Sequence, residues 1–387
     1  MNSIVFERPS LRQRLRPVFG GFDGPLALAA LLLAAIGLVT MYSAGFDQGT
    51  RVADHARNLV IALAVLFVTA QVSPNRLQRL ALPLYVVGLA LLVATALPGL
   101  GIAKKGATRW LNVGVVIQPS EMMKIAMPLM LAWWFQKREG QLRALDFLVA
   151  GALLLLPVAL VARQPDLGTA LLVLASGVYV IFFAGLSWRL VLPVLLLGAA
   201  AVVVLALAQD RLCDSGVQWP LLREYQRHRI CTLLDPSTDP LGRGFHIIQG
   251  MIAIGSGGLT GKGFMQGTQT HLEFIPEHTT DFIFAAFGEE FGLAGAALLI
   301  AGFVFLILRG LMIAAEAPNV FARLLAGAVT MSLFTYAFVN MGMVSGILPV
   351  VGVPLPFVSY GGTAMVSLGL ALGILMSVAR SKRLMPS

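Results

Sequence analysis

The chain has 387 residues, of which 57% are hydrophobic and 12% are charged, and its mean hydropathy is +0.82. Because a soluble domain has roughly 25% charged residues, this composition excludes an ordinary soluble protein and indicates a polytopic membrane protein. The net charge of +9 is explained by basic segments that face anionic lipid, so no nucleic-acid partner is expected.

Ten apolar runs are long enough to cross a bilayer, which requires about 20 predominantly apolar residues per helical span. Their Leu, Ala and Val content, with Gly and Pro inside several runs, favours helices over the alternating strands of a barrel. The sequence therefore predicts an all-α polytopic membrane protein with ten transmembrane helices. The predicted spans are residues 25–45, 58–74, 80–99, 119–136, 146–162, 168–186, 190–208, 281–306, 323–344 and 363–379.

The distribution of Lys and Arg predicts the orientation of the chain, because short cytoplasmic segments carry an excess of these residues. An even number of spans places both termini on one side, and the basic residues place that side in the cytoplasm. We therefore expect one domain over residues 1–387 in the cytoplasmic (inner) membrane, with cytoplasmic tails at 1–24 and 380–387. The short outward loops carry only a few basic residues, namely Arg51, Arg57, Lys104, Lys105, Arg109 and Arg163.

One predicted extracytoplasmic loop, residues 209–280 between the seventh and eighth spans, is far longer than the others. We expect function to involve this loop. Both cysteines of the chain, Cys213 and Cys231, lie in it and hence in a compartment that permits disulfides. Their spacing does not decide between a bridge and two free thiols, so both alternatives stay open.

The segment "QPSEMMKIAMP", residues 118–128, places two ionisable side chains inside a predicted span. Glu121 and Lys124 are three residues apart, so they share a helix face and can pair. Ionisable groups within a span usually face a protein interior or a cavity and mark functional sites. The alternative is an interfacial ion pair that only anchors the helix.

The large loop contains a glycine-rich segment, "IGSGGLTGKGF" at residues 254–264. It does not match a Walker-type phosphate loop, because Ser256 replaces the first glycine and Gly263 follows the lysine. Backbone amides together with Lys262 could still bind an anionic group. An ordinary re-entrant or surface loop is an equally open alternative.

A polar cluster follows at His271, Glu273, Glu277 and His278. Its spacing contains no zinc motif, and a solvated loop is the favoured interpretation. The absence of a zinc motif does not exclude a hard divalent cation such as Mg²⁺ or Mn²⁺, held by carboxylates and phosphate oxygens.

Asp281 lies in "FIPEHTTDFIFAAFGEEFG", residues 274–292, where the large loop enters a hydrophobic span. A structural explanation is available, since Thr280 can cap the helix and a first-turn carboxylate is stabilised by the helix dipole. A functional explanation is that the carboxylate stands at the outer membrane boundary, where a lipid-linked head group would be presented. Helical geometry places Glu289 about 80° around and about 12 Å deeper, where it can face an internal cavity, and it turns Glu290 towards a neighbouring helix.

The segment "NMGMVSGILPVVGVPLPFVSYGGTAM", residues 340–365, cannot form a continuous helix. Pro349, Pro354, Pro356 and the glycine pair 361–362 interrupt it. Broken backbone at membrane depth is tolerated where it is buried in protein or lines a cavity. We therefore expect this segment to fold back against a polar vestibule, with a purely structural re-entrant loop as the alternative.

With these motifs in place, the sequence resembles the SEDS family (shape, elongation, division and sporulation) over nearly its whole length. The resemblance favours the elongation branch over the division branch. Seven blocks carry it in order: "GATRWLNVG", "QPSEMMKIA", "QPDLGTA", "DPLGRGFHIIQ", "IGSGGLTGKGF", "LEFIPEHTTDFIFAAFGEEFG" and "GILPVVGVPLPFVSYGGTA".

The resemblance implies a peptidoglycan glycosyltransferase with ten spans that polymerises lipid II on the outer face of the cytoplasmic membrane. It also implies a partner, a class B penicillin-binding protein that cross-links the strands within the rod-shape elongation complex. Among the residues, it implies that Asp281 is essential and that Glu121 and Lys124 form a buried polar pair. Cys213 and Cys231 are not part of the family pattern, so a disulfide would be a local feature.

Chain growth joins these inferences into a mechanistic hypothesis with Asp281 as general base on the attacking sugar hydroxyl. The departing diphosphate needs cations, and Arg109, Lys124, Lys262 or a divalent metal are the candidates; for Arg109 an interfacial belt is the plain alternative. Ser359 in the last block is a candidate supporting residue. Two other functions stay open, a flippase for the lipid-linked precursor and a non-catalytic scaffold for a transpeptidase.

Overall fold

The computed structural model describes most of the predicted membrane domain. The described residues are 22–97, 100–104, 107–112, 114, 116–213, 217, 219, 224–238, 242–272, 274–275 and 277–383. Of the predicted cytoplasmic tails, residues 1–21 and 384–387 lie outside this part of the chain, as does Glu273 of the polar cluster.

Each predicted span coincides with one long helix. The elements up to the seventh long helix are α1 Gly24–Ala44, α2 Arg51–Ala70, α3 Pro74–Ala96, β1 Gly101–Lys104, β2 Ala107–Asn112, β3 Val116–Ile117, α4 Pro119–Gln136, α5 Ala144–Arg163, α6 Leu167–Phe183 and α7 Trp188–Leu207. The following elements are α8 Gln209–Leu212, α9 Glu224–Leu234, a 3₁₀ turn Pro236–Thr238, α10 Arg243–Gly257, α11 Thr268–His271, α12 Ile283–Ala315, α13 Val320–Val344 and α14 Gly362–Arg383.

The described residues contain eight helices that are long and apolar enough to cross a membrane, namely α1, α2, α3, α5, α7, α12, α13 and α14. Helix α6 is apolar but has 17 residues, and α4 carries Glu121 and Lys124 within its 18 residues. The described chain is thus a mostly helical membrane bundle, whereas the count of ten crossings stays a prediction. The end of the bundle that carries residues 45–50, 345–361 and the described residues between 97 and 118 is called the outer end below, after the predicted orientation.

Polar side chains begin several of these helices, because the first amides of a helix lack partners within it. Asp23 accepts a hydrogen bond from the amide of Leu26 at the start of α1 (3.0 Å). Asp166 accepts one from the amide of Thr169 at the start of α6 (3.3 Å). These caps explain why the predicted starts of both helices lie within one residue of the observed ones.

Several predicted boundaries are wrong; α3 begins at Pro74 instead of residue 80, and α12 continues to Ala315 instead of residue 306. Helix α2 begins at Arg51 instead of residue 58, because its charged first turns stay helical and Arg57 pairs with Asp54 at 3.0 Å. Helix α14 continues to Arg383, so the beginning of the predicted tail 380–387 is helical. An apolar run marks only the part of a helix that lies in lipid, and α2 and α14 extend beyond that part into polar surroundings.

A small antiparallel sheet lies between α3 and α4, and the prediction of an all-α chain missed it. The strand order is β1-β2-β3, with Gly101 opposite Leu111 and Leu111 opposite Ile117. The segment is too short and too interrupted by glycine for its period-2 pattern to stand out in the sequence. The sheet places Arg109 of β2 at the outer end of α3 and α4, against which β2 packs.

Helix α13 forms the centre of the bundle, and α7 lies at its periphery. Helix α13 packs against α12, α6 and α4, and α14 packs along α2. None of the residues of α7 is buried within the chain. The outer end of the bundle is closed by the segment 345–361, in which Val353, Leu355 and Val358 are buried.

Helix α12 is broken at Gly292, where the backbone has φ 62° and ψ −162°. A side chain is excluded at this position, because a methyl group on Gly292 would lie 2.9 Å from the carbonyl oxygen of Leu259. The positive φ also favours glycine over residues that carry a Cβ atom.

The break in α12 is filled by the glycine-rich segment. The carbonyls of Glu289 and Glu290 accept hydrogen bonds from the amides of residues 262 and 263, both at 3.0 Å. The amides of residues 293 and 294, which would fill these carbonyls in a regular helix, donate instead to the carbonyls of residues 258 and 259. The segment is therefore a structural insertion into α12, and its amides at 262 and 263 are used by the helix.

The structure also decides between a bridge and free thiols in the large loop. Cys213 and Cys231 form a disulfide that joins the end of α8 to α9.

Candidate active site

Asp281 stands at the outer end of the bundle, in a turn that precedes α12, and its side chain is partly exposed. Three successive carbonyls hold this turn in place. The carbonyl of Thr279 accepts from the amide of Tyr360 (2.9 Å), that of Thr280 from the hydroxyl of Ser359 (2.6 Å), and that of Asp281 from the amide group of Asn340 (2.9 Å). The position of Asp281 is thus fixed through its own backbone.

The capping explanation of Asp281 is wrong. Helix α12 begins at Ile283, its N-cap is Phe282, and no side chain caps it. The hydroxyl of Thr280, the predicted cap, donates instead to the carboxylate of Glu277 (2.7 Å). Asp281 therefore lies outside the helix and is not needed to begin it.

The segment 345–361 passes directly over the Asp281 side chain. A methyl group on Gly352 would lie 3.3 Å from the Oδ2 oxygen of Asp281, and Gly352 has φ 75°. Asn340 links the two segments, since its Nδ2 donates both to the Asp281 carbonyl and to the carbonyl of Val353 (2.7 Å). A glycine at this point lets the backbone approach the carboxylate closely.

Ser359, the predicted supporting residue, is buried and lies next to Asp281 in space. Its hydroxyl donates to the carbonyl of Thr280 and accepts from the amide of Leu355 (2.8 Å). This hydroxyl therefore joins the turn before α12 to the segment 345–361, and its place in the site is that of a positioning group.

Glu121 and Lys124 form the predicted pair inside α4, with 2.6 Å between Nζ and Oε1. The second carboxylate oxygen of Glu121 accepts from the hydroxyl of Ser367 in α14 (3.0 Å), and the Lys124 ammonium lies 5.1 Å from the ring centre of Tyr336 in α13. Lys124, Tyr336, Ser367 and Ser176 line an internal cavity. The pair thus faces the protein interior, where the sequence placed it.

Arg109 reaches from β2 to Asp166, with 3.4 Å between its Nη1 and the carboxylate. The side-chain amide of Gln118 also donates to Asp166 (2.9 Å). Asp166 begins α6, and the first turn of that helix packs on Val351 and Val353 of the closing segment. Arg109 is therefore held at the outer end by a buried carboxylate.

Lys262 is bound to Glu289, with 2.6 Å between Nζ and Oε1. Glu289 is fully buried and also accepts from the amides of Gln269 and Thr270. The expectation that Glu289 faces an internal cavity is wrong, because the loop 262–270 covers its side chain. Glu290 accepts from the hydroxyl of Ser43 in α1, which confirms that it meets a neighbouring helix.

The polar cluster of the large loop is divided among local hydrogen bonds. His271 pairs with the carbonyl of Gly267 (2.6 Å), and His278 pairs with the carbonyl of Ile275 (2.9 Å). Among the described residues, no three His, Cys, Asp or Glu side chains are grouped closely enough to hold a metal ion.

Sequence reasoning missed two residues that position the site, Asn340 and Asp166. Asn340 is buried and is the only Asn or Gln within α13, and an isolated amide in an apolar helix is a signal that could have identified it. Asp166 lies in the block "QPDLGTA", but no feature of that block indicates its contact with Arg109.

The fold and the site together define a multi-pass membrane protein with a fixed, partly exposed carboxylate at its outer end. Comparison with known proteins gives its family. The family model FTSW_RODA_SPOVE, described as cell cycle protein, matches residues 25–384. The chain belongs to this family, which is the SEDS family that the sequence motifs resemble, and like its relatives it is a multi-pass protein of the inner membrane.

Among its relatives, the chain is 45% identical to peptidoglycan glycosyltransferase MrdB of Escherichia coli (strain K12), over 94% of this chain and 95% of that protein. It is 33% identical to stage V sporulation protein E of Bacillus subtilis (strain 168), over 92% and 97% of the two chains.

Two solved structures resemble the fold. A chain of a peptidoglycan synthase complex that coordinates polymerization and crosslinking has a TM-score of 0.76 and 30% identity, with 94% of this chain and 99% of that chain covered. The rod shape determining protein RodA of Thermus thermophilus has a TM-score of 0.68 and 28% identity, with 93% and 97% covered.

Proposed function

We propose that this chain polymerises lipid II into β-1,4 glycan strands during cell elongation, with Asp281 as the general base. It is a peptidoglycan glycosyltransferase, the activity for which its relative at 45% identity is named. The observation that carries the assignment of Asp281 is the row of hydrogen bonds to the carbonyls of residues 279–281, which fixes one partly exposed carboxylate at the outer end. A general base must be held within hydrogen-bond reach of the proton that it removes.

In the proposed reaction, the 4-hydroxyl oxygen of one lipid-linked sugar attacks the anomeric carbon of another. The Asp281 carboxylate takes the hydroxyl proton as the new C–O bond forms. The bond between the anomeric carbon and the diphosphate oxygen breaks, and its electron pair leaves with undecaprenyl diphosphate. The α-linkage becomes a β-linkage, which is an inverting substitution in one step.

The departing diphosphate requires positive charge rather than a proton, because diphosphate is a good leaving group. Arg109 is the best placed of the proposed cations, since it lies on the outer sheet and Asp166 holds only part of its guanidinium group. Lys124 is more deeply buried, and its ammonium is bound to Glu121. Lys262 is bound to Glu289, so a phosphate role for it would require that pair to open.

A Mg²⁺ or Mn²⁺ ion stays part of the proposal as an aid to the leaving diphosphate. The described residues supply Asp281 as a carboxylate at the site but no ready group of three ligands. Such an ion would therefore take most of its oxygen ligands from the diphosphate and from water, as Mg²⁺ usually does.

The proposal also includes a protein partner and the side of the membrane on which the reaction takes place. The solved complex that coordinates polymerization and crosslinking supports a transpeptidase partner, which we assign to a class B penicillin-binding protein in the rod-shape elongation complex. Ten crossings, with both termini in the cytoplasm, would place Asp281 on the outer side, where that partner acts. The long helices α1–α7 and α12–α14 support this count.

The decisive experiment incubates the protein and its transpeptidase partner with lipid II in detergent, where no membrane separates two compartments. We expect polymer from the wild type and a loss of at least about 10²-fold in Asp281→Asn, the usual contribution of a general base. Asp54→Asn is the matched control, because Asp54 lies near the outer end of α2 and pairs only with the exposed Arg57.

Three outcomes would contradict the proposal. Undiminished polymer in Asp281→Asn would remove the base role. A wild type that forms no polymer but moves labelled lipid II across proteoliposomes would make the protein a flippase, and a wild type that does neither would leave the scaffold function.

A further inference from the structure

Helix α9 of the large loop takes no part in the proposed chemistry, yet it is attached both to the end of α8 and to the segment 345–361. Its Cys231 is joined to Cys213 at the end of α8. Its Arg229, two residues earlier, donates from Nη1 to the carbonyl of Val350 (2.9 Å). The first attachment holds α9 to the chain that leaves α7, and the second holds it to the segment 345–361.

The Val350 carbonyl belongs to the stretch of the segment 345–361 that borders the proposed catalytic base in space. Two residues later, Gly352 lies against the Oδ2 oxygen of Asp281. The next carbonyl, that of Val353, shares the amide group of Asn340 with the Asp281 carbonyl. A shift of Val350 would therefore be transmitted over a few bonds to the backbone that borders the Asp281 carboxylate.

The disulfide matters for this contact because α9 has 11 residues and packs on few neighbours. A helix of that length is marginal in isolation, so its position depends on its attachments. A covalent link restricts the conformations open to the loop before Arg229 binds. The contact of Arg229 with Val350 is then formed by a helix that is already held near its place.

We propose that α9 is a positioning element for Asp281, in which the Cys213–Cys231 disulfide holds the helix and Arg229 fixes the segment 345–361 through Val350. The proposal rests on the assigned role of Asp281 in lipid II polymerisation. It assigns a function to both cysteines of the chain, and it makes polymerisation by this chain sensitive to reduction of the disulfide.

The first test compares steady-state polymerisation by the full chain with its partner for wild type, Arg229→Ala and Arg229→Lys. Arg229→Ala should lower kcat about tenfold with the KM for lipid II changed less than about twofold, because a charged donor is lost and a misplaced base slows chemistry more than binding. Arg229→Lys should recover part of kcat, since an ammonium can still donate to the Val350 carbonyl.

His228→Ala is the matched control for Arg229. His228 is the adjacent residue on α9, its side chain is 62% exposed, and it only approaches Glu224 on the same helix (3.9 Å). We expect this variant to keep the wild-type kcat, which would show that α9 tolerates the loss of a large side chain away from the segment 345–361.

The second test removes the disulfide in two ways. The double variant Cys213→Ser/Cys231→Ser, and wild type treated with a phosphine reductant, should both lose about three- to fivefold in kcat, and reoxidation with diamide should restore only the wild type. Adding Arg229→Ala to the cysteine variant should bring the total loss to about tenfold, the same as in Arg229→Ala alone, because contacts in one chain of attachments are not additive. The reductant experiment needs no variant to fold.

Three results would overturn the proposal. One is a rise in KM with unchanged kcat in Arg229→Ala, which would make Arg229 a substrate ligand. The second is an unchanged kcat in both Arg229 variants. The third is full activity without the disulfide. Asp281→Asn measured alongside distinguishes failure of the proposed base from failure of the proposed role of α9. If Asp281→Asn retains polymerisation, Asp281 is not the general base. If Asp281→Asn is the only variant that loses activity, the base role stands and the positioning role of α9 is wrong.

Discussion

Two carboxylates near the start of α12, Asp281 and Glu289, differ in burial and in how they are held. Glu289 is fully buried, and its oxygens accept hydrogen bonds from Lys262 and from the amides of Gln269 and Thr270. Asp281 is partly exposed and is held through its backbone carbonyl by Asn340. The first carboxylate uses its side chain to hold a loop in place. The second is held in place through its backbone carbonyl, and it is the carboxylate proposed as the general base.

The strongest test of this comparison concerns the buried pair. Lys262→Met should destabilise the protein by about 3–5 kcal/mol, because it leaves the Glu289 carboxylate buried without its cation. The measurement is the thermal unfolding midpoint of the purified protein in detergent, with Lys262→Arg as the control that keeps the charge. A normal midpoint with a raised KM for lipid II would instead support the predicted phosphate role of Lys262.

The second test moves the proposed base without removing its charge. Asp281→Glu should lower kcat by about 10²-fold, because a displacement of about 1 Å at the reacting atoms has an effect of that size. The unfolding midpoint should not change, since the hydrogen bond of Asn340 goes to the main chain. Wild-type activity in this variant would show that the position of the carboxylate is not important.

The third test compares two cations of different burial. Lys124→Ala should reduce polymerisation by about tenfold, because the Glu121 carboxylate in the interior loses a charged donor. Arg57→Ala should change it by less than about twofold, since the Arg57 side chain is 66% exposed and its ion pair with Asp54 is a surface pair. Equal effects on the rate would favour an anchoring role for the Lys124 pair.

The smallest expected effect concerns the backbone support of Asp281. Ser359→Ala removes the hydroxyl that joins Thr280 to Leu355, and it should lower kcat about fivefold, the value of roughly one neutral hydrogen bond. The KM for lipid II should stay constant. Ser332→Ala in α13 is the control, because its hydroxyl bonds only to a carbonyl of its own helix. A raised KM in Ser359→Ala would mean that Ser359 contacts substrate.

Much of the bundle could be predicted because its signals are local. A run of about 20 apolar residues must satisfy its backbone within one helix in lipid, so each predicted span became a helix. The pairing of Glu121 with Lys124 was also predictable, since their spacing of three residues places them on one face. The partners of Arg109 and Lys262 were not, because Asp166 and Glu289 lie in distant segments and sequence spacing does not report such contacts.

The sequence by itself determined the membrane bundle and the break in the helix within residues 340–365, and its resemblance to the SEDS family indicated Asp281. Only the tertiary structure decided that Asp281 lies before α12 instead of in its first turn, and that Cys213 and Cys231 are joined. Apolar runs and prolines act on their own stretch of chain. The surroundings of a carboxylate depend on which backbone donors from distant parts of the chain reach it, and the packing of the helices determines which donors do.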